Sequence, residues 1–92
     1  MADPGSGRGF NLSIVSPEKA LFEGEVSFVV VPAFDGELGI LAGHAPLMAL
    51  LSDGILRVET AAGTQRFRVK GGFVQVVDNK VSVLSEIAEE AA

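Results

Sequence analysis

The chain has 92 residues, enough for one small domain with a single core. An apolar content of 48% favours a folded domain over disorder, and a formal charge of −5 argues against nucleic acid or an anionic lipid surface as a partner. The absence of cysteine excludes disulfides, thiolate zinc sites and cysteine nucleophiles.

Residues 1–9 are rich in Gly, Pro and Ser and read as a mobile tail. Their G-S-G-R-G run echoes a phosphate loop but lacks the Lys-Ser/Thr end and a preceding strand. No apolar signal core is present there. Phe10 to Val15 alternates, with Leu12 and Ile14 on one face and Asn11 and Ser13 on the other, as a half-buried strand does. Ser16-Pro17-Glu18 turns the chain, Ala20 to Phe22 forms a brief strand, and Gly24 turns it again. Val26 to Ala33 is a strand that is apolar on both faces from Phe28 to Val31, so it is central or covers a partner.

Asp35-Gly36 reverses the chain, and a short strand from Leu38 to Leu41 follows. Gly43 breaks that strand, and Pro46 biases Ala45 towards an extended conformation. Asp35 to Leu47 therefore reads as a Gly-punctuated loop region carried by strands, where binding usually sits. Ile40 to Leu51 is the longest mostly apolar stretch. It contains His44 and Pro46 and falls short of the roughly 20 apolar residues of a membrane span, so no membrane insertion is expected.

Leu47 to Leu51 is a further short apolar run, and Ser52-Asp53-Gly54 is a turn. Ile55 to Thr60 and Gln65 to Lys70 form a hairpin around Ala62-Gly63. In that register Val58 faces Phe67 and Leu56 faces Val69 inside, Glu59 faces Arg66 outside, and Arg57 opposes Arg68. Arg66, Arg68 and Lys70 read as a solvated stripe, and Gly71-Gly72 as a bulge or bend where backbones approach closely. Phe73 to Val77 and Val81 to Ser85 form the last hairpin, turning at Asp78-Asn79, with Val76 meeting Val81 and Val74 meeting Val83. Glu86 to Ala92 is an Ala/Glu-rich tail that could start a helix but is too short to hold one alone. Many short strands between frequent turns indicate an all-β sandwich or barrel.

Three stretches, in order and in one register from Phe10 to Glu86, resemble a known family. They are L-S-I-V-S-P-E-K-A-L-F from Leu12 to Phe22, D-G-E-L-G-I with G-H-A-P-L between Asp35 and Leu47, and G-G-F-V-Q-V from Gly71 backed by Asn79, Val81, Val83 and Leu84. Together they are similar to the N-terminal domain of the epsilon subunit of F-type ATP synthases, the counterpart of mitochondrial delta. The resemblance implies a flattened β-sandwich of two roughly five-stranded sheets over residues 10–86, with residues 87–92 as a tail and the family's C-terminal helical hairpin absent.

It also implies a non-catalytic central-stalk subunit that couples the c-ring to the gamma subunit during proton-driven ATP synthesis. Such a subunit sits on the cytoplasmic face of the bacterial plasma membrane and needs no cofactor and no metal. By resemblance Gly36, Glu37 and Leu38, taken as the tip of a turn, face the polar loops of the c-ring, and His44, Ala45 and Pro46 lie near gamma. An excess of apolar residues over what one core can take adds Val29 and Val31 as candidate gamma contacts. From the residues alone, Glu37 reads as a solvated carboxylate and His44 as a structural histidine bonded to backbone. The rival reading is a free-standing sandwich module using the Asp35–Leu47 loop for a small ligand or a protein partner. An enzyme is disfavoured by the single histidine and the lack of cysteine.

Overall fold

The computed structural model describes residues 9–91. The tail expected over residues 1–9 lies outside them except for Gly9, as does Ala92. Ten strands and no helix occur among the described residues. In chain order they are β1 (Phe10–Val15), β2 (Ala20–Val26), β3 (Phe28–Ala33), β4 (Gly36–Leu41) and β5 (Leu47–Leu50), then β6 (Gly54–Thr60), β7 (Gly63–Lys70), β8 (Phe73–Val77), β9 (Lys80–Leu84) and β10 (Ile87–Ala91). Sheet I has the order β2-β1-β9-β8-β5 and sheet II the order β10-β7-β6-β3-β4. All pairs are antiparallel except β1 with β9. The fold is thus the expected sandwich of two five-stranded sheets.

Alternation along the strands builds the core. Leu12, Ile14, Val74, Val76, Val81 and Val83 of sheet I meet Val29, Val31, Ile40, Leu56, Val58, Phe67 and Val69 of sheet II, all essentially without solvent exposure. The Phe22 and Phe67 rings meet edge-on across the two sheets with centroids 6.0 Å apart. Where the chain crosses from sheet I to sheet II after β9, Ser85 is the one buried polar residue among those described. Its hydroxyl accepts from the Lys70 amide at 3.0 Å and lies 3.0 and 2.7 Å from the carbonyls of Lys70 and Ile87, so it locks three segments at once. Just before β8, Gly72 holds φ +97°, and a Cβ there would fall 1.8 Å from the Leu84 carbonyl oxygen. The close backbone approach expected at Gly71-Gly72 is therefore real, and only glycine permits it.

Three local expectations are corrected. Gly24 does not turn the chain. It pairs in register with Leu12 on the inward face, and the Phe22 ring lies 3.9 Å from where its Cβ would stand, so the gap takes up aromatic volume. The turn comes at Ser27, whose amide and hydroxyl both donate to the Glu59 carbonyl, at 2.9 and 3.2 Å.

The β6–β7 hairpin is tighter than expected. Thr60 pairs with Gly63 across Ala61-Ala62, stapled by the Thr60 hydroxyl, which donates to the Gly63 carbonyl and accepts from the Ala62 amide. The pairing therefore moves by two residues: Leu56 faces Phe67, Arg57 faces Arg66 and Glu59 faces Thr64. A two-residue shift preserves every inward and outward assignment while changing each partner. Arg68 therefore no longer opposes Arg57; Arg57 lies 3.8 Å from Glu59 and Arg68 3.6 Å from Glu89.

Finally, Ile87–Ala91 is neither helix nor free tail but the edge strand β10, paired with β7. Ala88 is buried against the core, and the β7 edge offers the backbone partners that a short helix would lack.

Candidate functional site

Asp35 to Leu47 is not one loop. β4 occupies its middle and carries the chain from one end of the sandwich to the other, five steps from Gly36 to Leu41 or roughly 17 Å. Gly36–Leu38 and His44–Pro46 therefore lie at opposite ends. A single ligand loop built from the whole stretch is ruled out by that strand.

At the first end, Phe34 and Asp35 form the tip of the β3–β4 hairpin, with Ala33 paired to Gly36. Phe34 is 79% exposed, an unusual cost for a large apolar ring. Glu37 is not at the tip as expected. It sits on β4 opposite Pro32, exposed, while Leu38 turns inward and is half-buried against the core. The base of the hairpin is pinned to the end of β5 and the segment after it. The Phe34 amide donates to the Leu50 carbonyl at 2.9 Å, the Ser52 amide to the Pro32 carbonyl at 2.8 Å, and the Ser52 hydroxyl to the Ala33 carbonyl at 3.2 Å. The exposed tip is thus carried on a stiff support.

At the second end, Leu41 to His44 is a turn closed by the His44 amide on the Leu41 carbonyl at 3.2 Å. Gly43 has φ +81°, the value a type II turn demands at its third residue. His44 Nδ1 lies 2.8 Å from the Ala45 carbonyl, so the ring is engaged with backbone, as the structural reading of this histidine anticipates. Ala45 and Pro46 are exposed. The β8–β9 turn lies beside them, with Asp78 and Asn79 both at positive φ, as its sequence predicts. The two turns border an open cleft of about 460 Å³ lined by Gly43, His44, Ala45, Pro46, Asp78 and Asn79.

Between the ends runs the outer face of sheet I. The registers align Leu50, Phe73, Leu84 and Val15 in one row across β5, β8, β9 and β1. The next row is Met48, Gln75, Ser82 and Ser13, and the one after it contains Val77, Lys80 and Asn11. The face thus grades from apolar at the Phe34 end to polar at the His44 end. Leu50 and Met48 are 63% and 64% exposed, and Leu84 and Val77 about 40%. Val15, Pro17, Phe73 and Leu84 line a shallow groove of about 390 Å³. The sequence signal for this face was available, because L-M-A-L is apolar at consecutive positions and a strand can bury only one set.

The same reasoning about excess apolar residues chose the wrong members on β3. Val29 and Val31 are fully buried in the core, so neither is available to a partner. Phe28 and Val30 point outward instead. Val30 is only 6% exposed, and the Phe28 ring lies against Gly39, the residue paired with Val30; a Cβ there would stand 3.3 Å from the ring. A strand apolar on both faces gives no sequence signal for which face turns in.

The chain matches, over residues 9–91, the family described as ATP synthase, Delta/Epsilon chain, beta-sandwich domain. It is 45% identical over 84 residues to the ATP synthase epsilon chain of Syntrophomonas wolfei, covering 90% of this chain and 61% of that one. It is 48% identical over 80 residues to the epsilon chain of Pelotomaculum thermopropionicum, covering 87% and 60% respectively. The chain therefore spans about three fifths of the length of these relatives. Among solved structures it is similar to a chain in the cryo-EM structure of the Euglena gracilis mitochondrial ATP synthase, OSCP/F1/c-ring in rotational state 1. The TM-score is 0.83 at 28% identity, over 90% of this chain and 54% of that one. A chain in the central stalk/c-ring structure of the Tetrahymena thermophila mitochondrial ATP synthase shares the fold, with a TM-score of 0.71 at 17% identity, over 86% of this chain and 64% of that one. Motifs, strand order and these likenesses agree: the chain belongs to the ATP synthase delta/epsilon-chain beta-sandwich family.

Proposed function

We propose that the chain is a non-catalytic rotor subunit of an F-type ATP synthase, joining the gamma subunit to the c-ring so that torque from proton flow reaches the stalk without slip. Its place is the cytoplasmic face of a bacterial plasma membrane, peripheral to it. Family membership supports this, as do the bacterial epsilon chains at 45–48% identity. Among the described residues no helix is long and apolar enough to cross a membrane.

The observation that carries the reading is the outward apolar row Leu50, Phe73, Leu84 and Val15, flanked by Met48 and lying at the same end as Phe34. A rotor joint needs shape and buried apolar area more than acid–base chemistry, and this row offers such a surface on a rigid sheet. Gamma packs on this outer face and reaches the His44–Pro46 end. The c-ring loops meet the opposite end, at the hairpin that carries Gly36, Glu37 and Leu38. Glu37 is exposed there and suits basic groups on a ring loop. Cysteines at Glu37 and in a polar loop of the c subunit should cross-link in the assembled enzyme. Absence of any product across a scan from Phe34 to Leu38 would remove the c-ring from that end.

A further inference from the structure

Two segments far apart in sequence converge on Asn79. Its side-chain carbonyl accepts the Gly43 amide at 2.6 Å, and its main-chain carbonyl accepts the Asn11 amide at 3.0 Å. Its φ of 62° closes the β8–β9 turn. The Gly43 amide belongs to the turn that launches His44, Ala45 and Pro46. Gly43 is exposed, and nothing packs within 4 Å of where its Cβ would be. Side-chain packing therefore does not hold this glycine. The hydrogen bond from its amide to Asn79 ties it to the β8–β9 turn of sheet I, and the two turns so joined border the cleft.

We propose that Asn79 is a positioning residue: its Oδ1 clamps Gly43 and thereby sets the orientation in which His44–Pro46 meet gamma. The clamp itself stands on geometry alone; its consequence for gamma rests on the functional reading above. The chemistry required of residue 79 is specific. It must tolerate positive φ, which asparagine, aspartate and glycine do, and it must carry an acceptor one carbon beyond Cβ, which glycine does not. Asn79→Gly thus removes the clamp while keeping the turn, and Asn79→Asp keeps both.

The test uses the parent chain and these two variants. In the parent, NMR should show a through-hydrogen-bond coupling between the Gly43 nitrogen and the Asn79 side-chain carbonyl, together with slowed exchange of the Gly43 amide. Exchange should speed up about tenfold in Asn79→Gly and return to the parent rate in Asn79→Asp. Affinity for an F1 complex lacking this subunit should fall about fivefold to tenfold in Asn79→Gly and recover to within about twofold in Asn79→Asp, with the melting temperature of both variants within a few degrees of the parent. A purely structural role would move melting temperature and affinity together.

A missing coupling in the parent overturns the clamp without recourse to any variant. Unchanged affinity in Asn79→Gly despite faster Gly43 exchange overturns the positioning role. No recovery in Asn79→Asp overturns the assignment to the acceptor oxygen. A parent that shows the coupling but does not bind the complex overturns the gamma reading and leaves the clamp standing, so the two failures are distinguishable.

Discussion

At the scale of single residues, the buried positions were legible wherever polar and apolar residues alternate. Leu12, Ile14, Leu56, Val58, Phe67, Val69, Val74 and Val76 all point inward, because period-two alternation leaves one arrangement that buries the apolar set. Val29 and Val31 were misassigned because their neighbours are equally apolar, and only the register with β4 and β6 decides between the sets. Ser85 was invisible to patterning altogether: it continues an alternating strand, and nothing in the sequence marks its hydroxyl as the bond between two sheets. Ser85→Ala should cost about 1–3 kcal/mol, since it leaves the half-buried Lys70 amide without its acceptor. A denaturant midpoint unchanged from the parent would show that water replaces the hydroxyl. Gly72→Ala should be far worse, because the clash is with backbone and no side chain can swing aside. Failure of that variant to fold, read by loss of the native β circular dichroism signal, is the expected result.

At the scale of elements, turn chemistry predicted the turn and register of the β8–β9 hairpin, since Asp-Asn accepts two consecutive positive φ values, while β9 itself runs one residue earlier than expected, Lys80–Leu84. The β6–β7 hairpin was misplaced by two residues because its loop lacks such a pair. There the turn is fixed by the Thr60 hydroxyl, an interaction that a reading of Gly positions cannot see. β10 was missed because Ala and Glu favour helices, whereas a waiting sheet edge overrides propensity by satisfying backbone groups. This edge strand covers the end of the core through Ala88, which is 9% exposed. Ala88→Asp should detach it by asking the core to take an unpaired carboxylate. The expected outcome is a loss of about 2–3 kcal/mol and faster amide exchange along β10. Exchange changes confined to Ala88 itself would mean that the strand is held by its backbone ladder alone.

At the scale of the whole molecule, many short strands between frequent turns made an all-β sandwich or barrel legible, but the placement of the sites does not follow from their order in the chain. Glu37 and His44 are seven positions apart and yet at opposite ends, because an intervening strand separates neighbours where a loop would join them. The apolar row on sheet I is likewise assembled from four strands whose residues lie up to 69 positions apart, Val15 against Leu84. Only the register reveals it. The row ends on β5, a four-residue edge strand with two large exposed side chains, and natural sheets usually blunt such edges with charge or proline. Leaving it apolar makes sense if another surface covers it. A standard interface buries about 800 Å² on each partner, and clusters near its centre carry most of the affinity. Leu50→Glu places a charge at the exposed end of the row without entering the core, so folding stability should stay within about 1 kcal/mol of the parent. Affinity for gamma should fall by at least about tenfold, corresponding to roughly 1.4 kcal/mol. The isolated parent should self-associate at high concentration in sedimentation experiments, and the variant should remain monomeric. A Leu50→Glu chain that binds gamma as tightly as the parent would move the interface off this face of sheet I, and one that loses its fold would show that the row serves the sandwich itself.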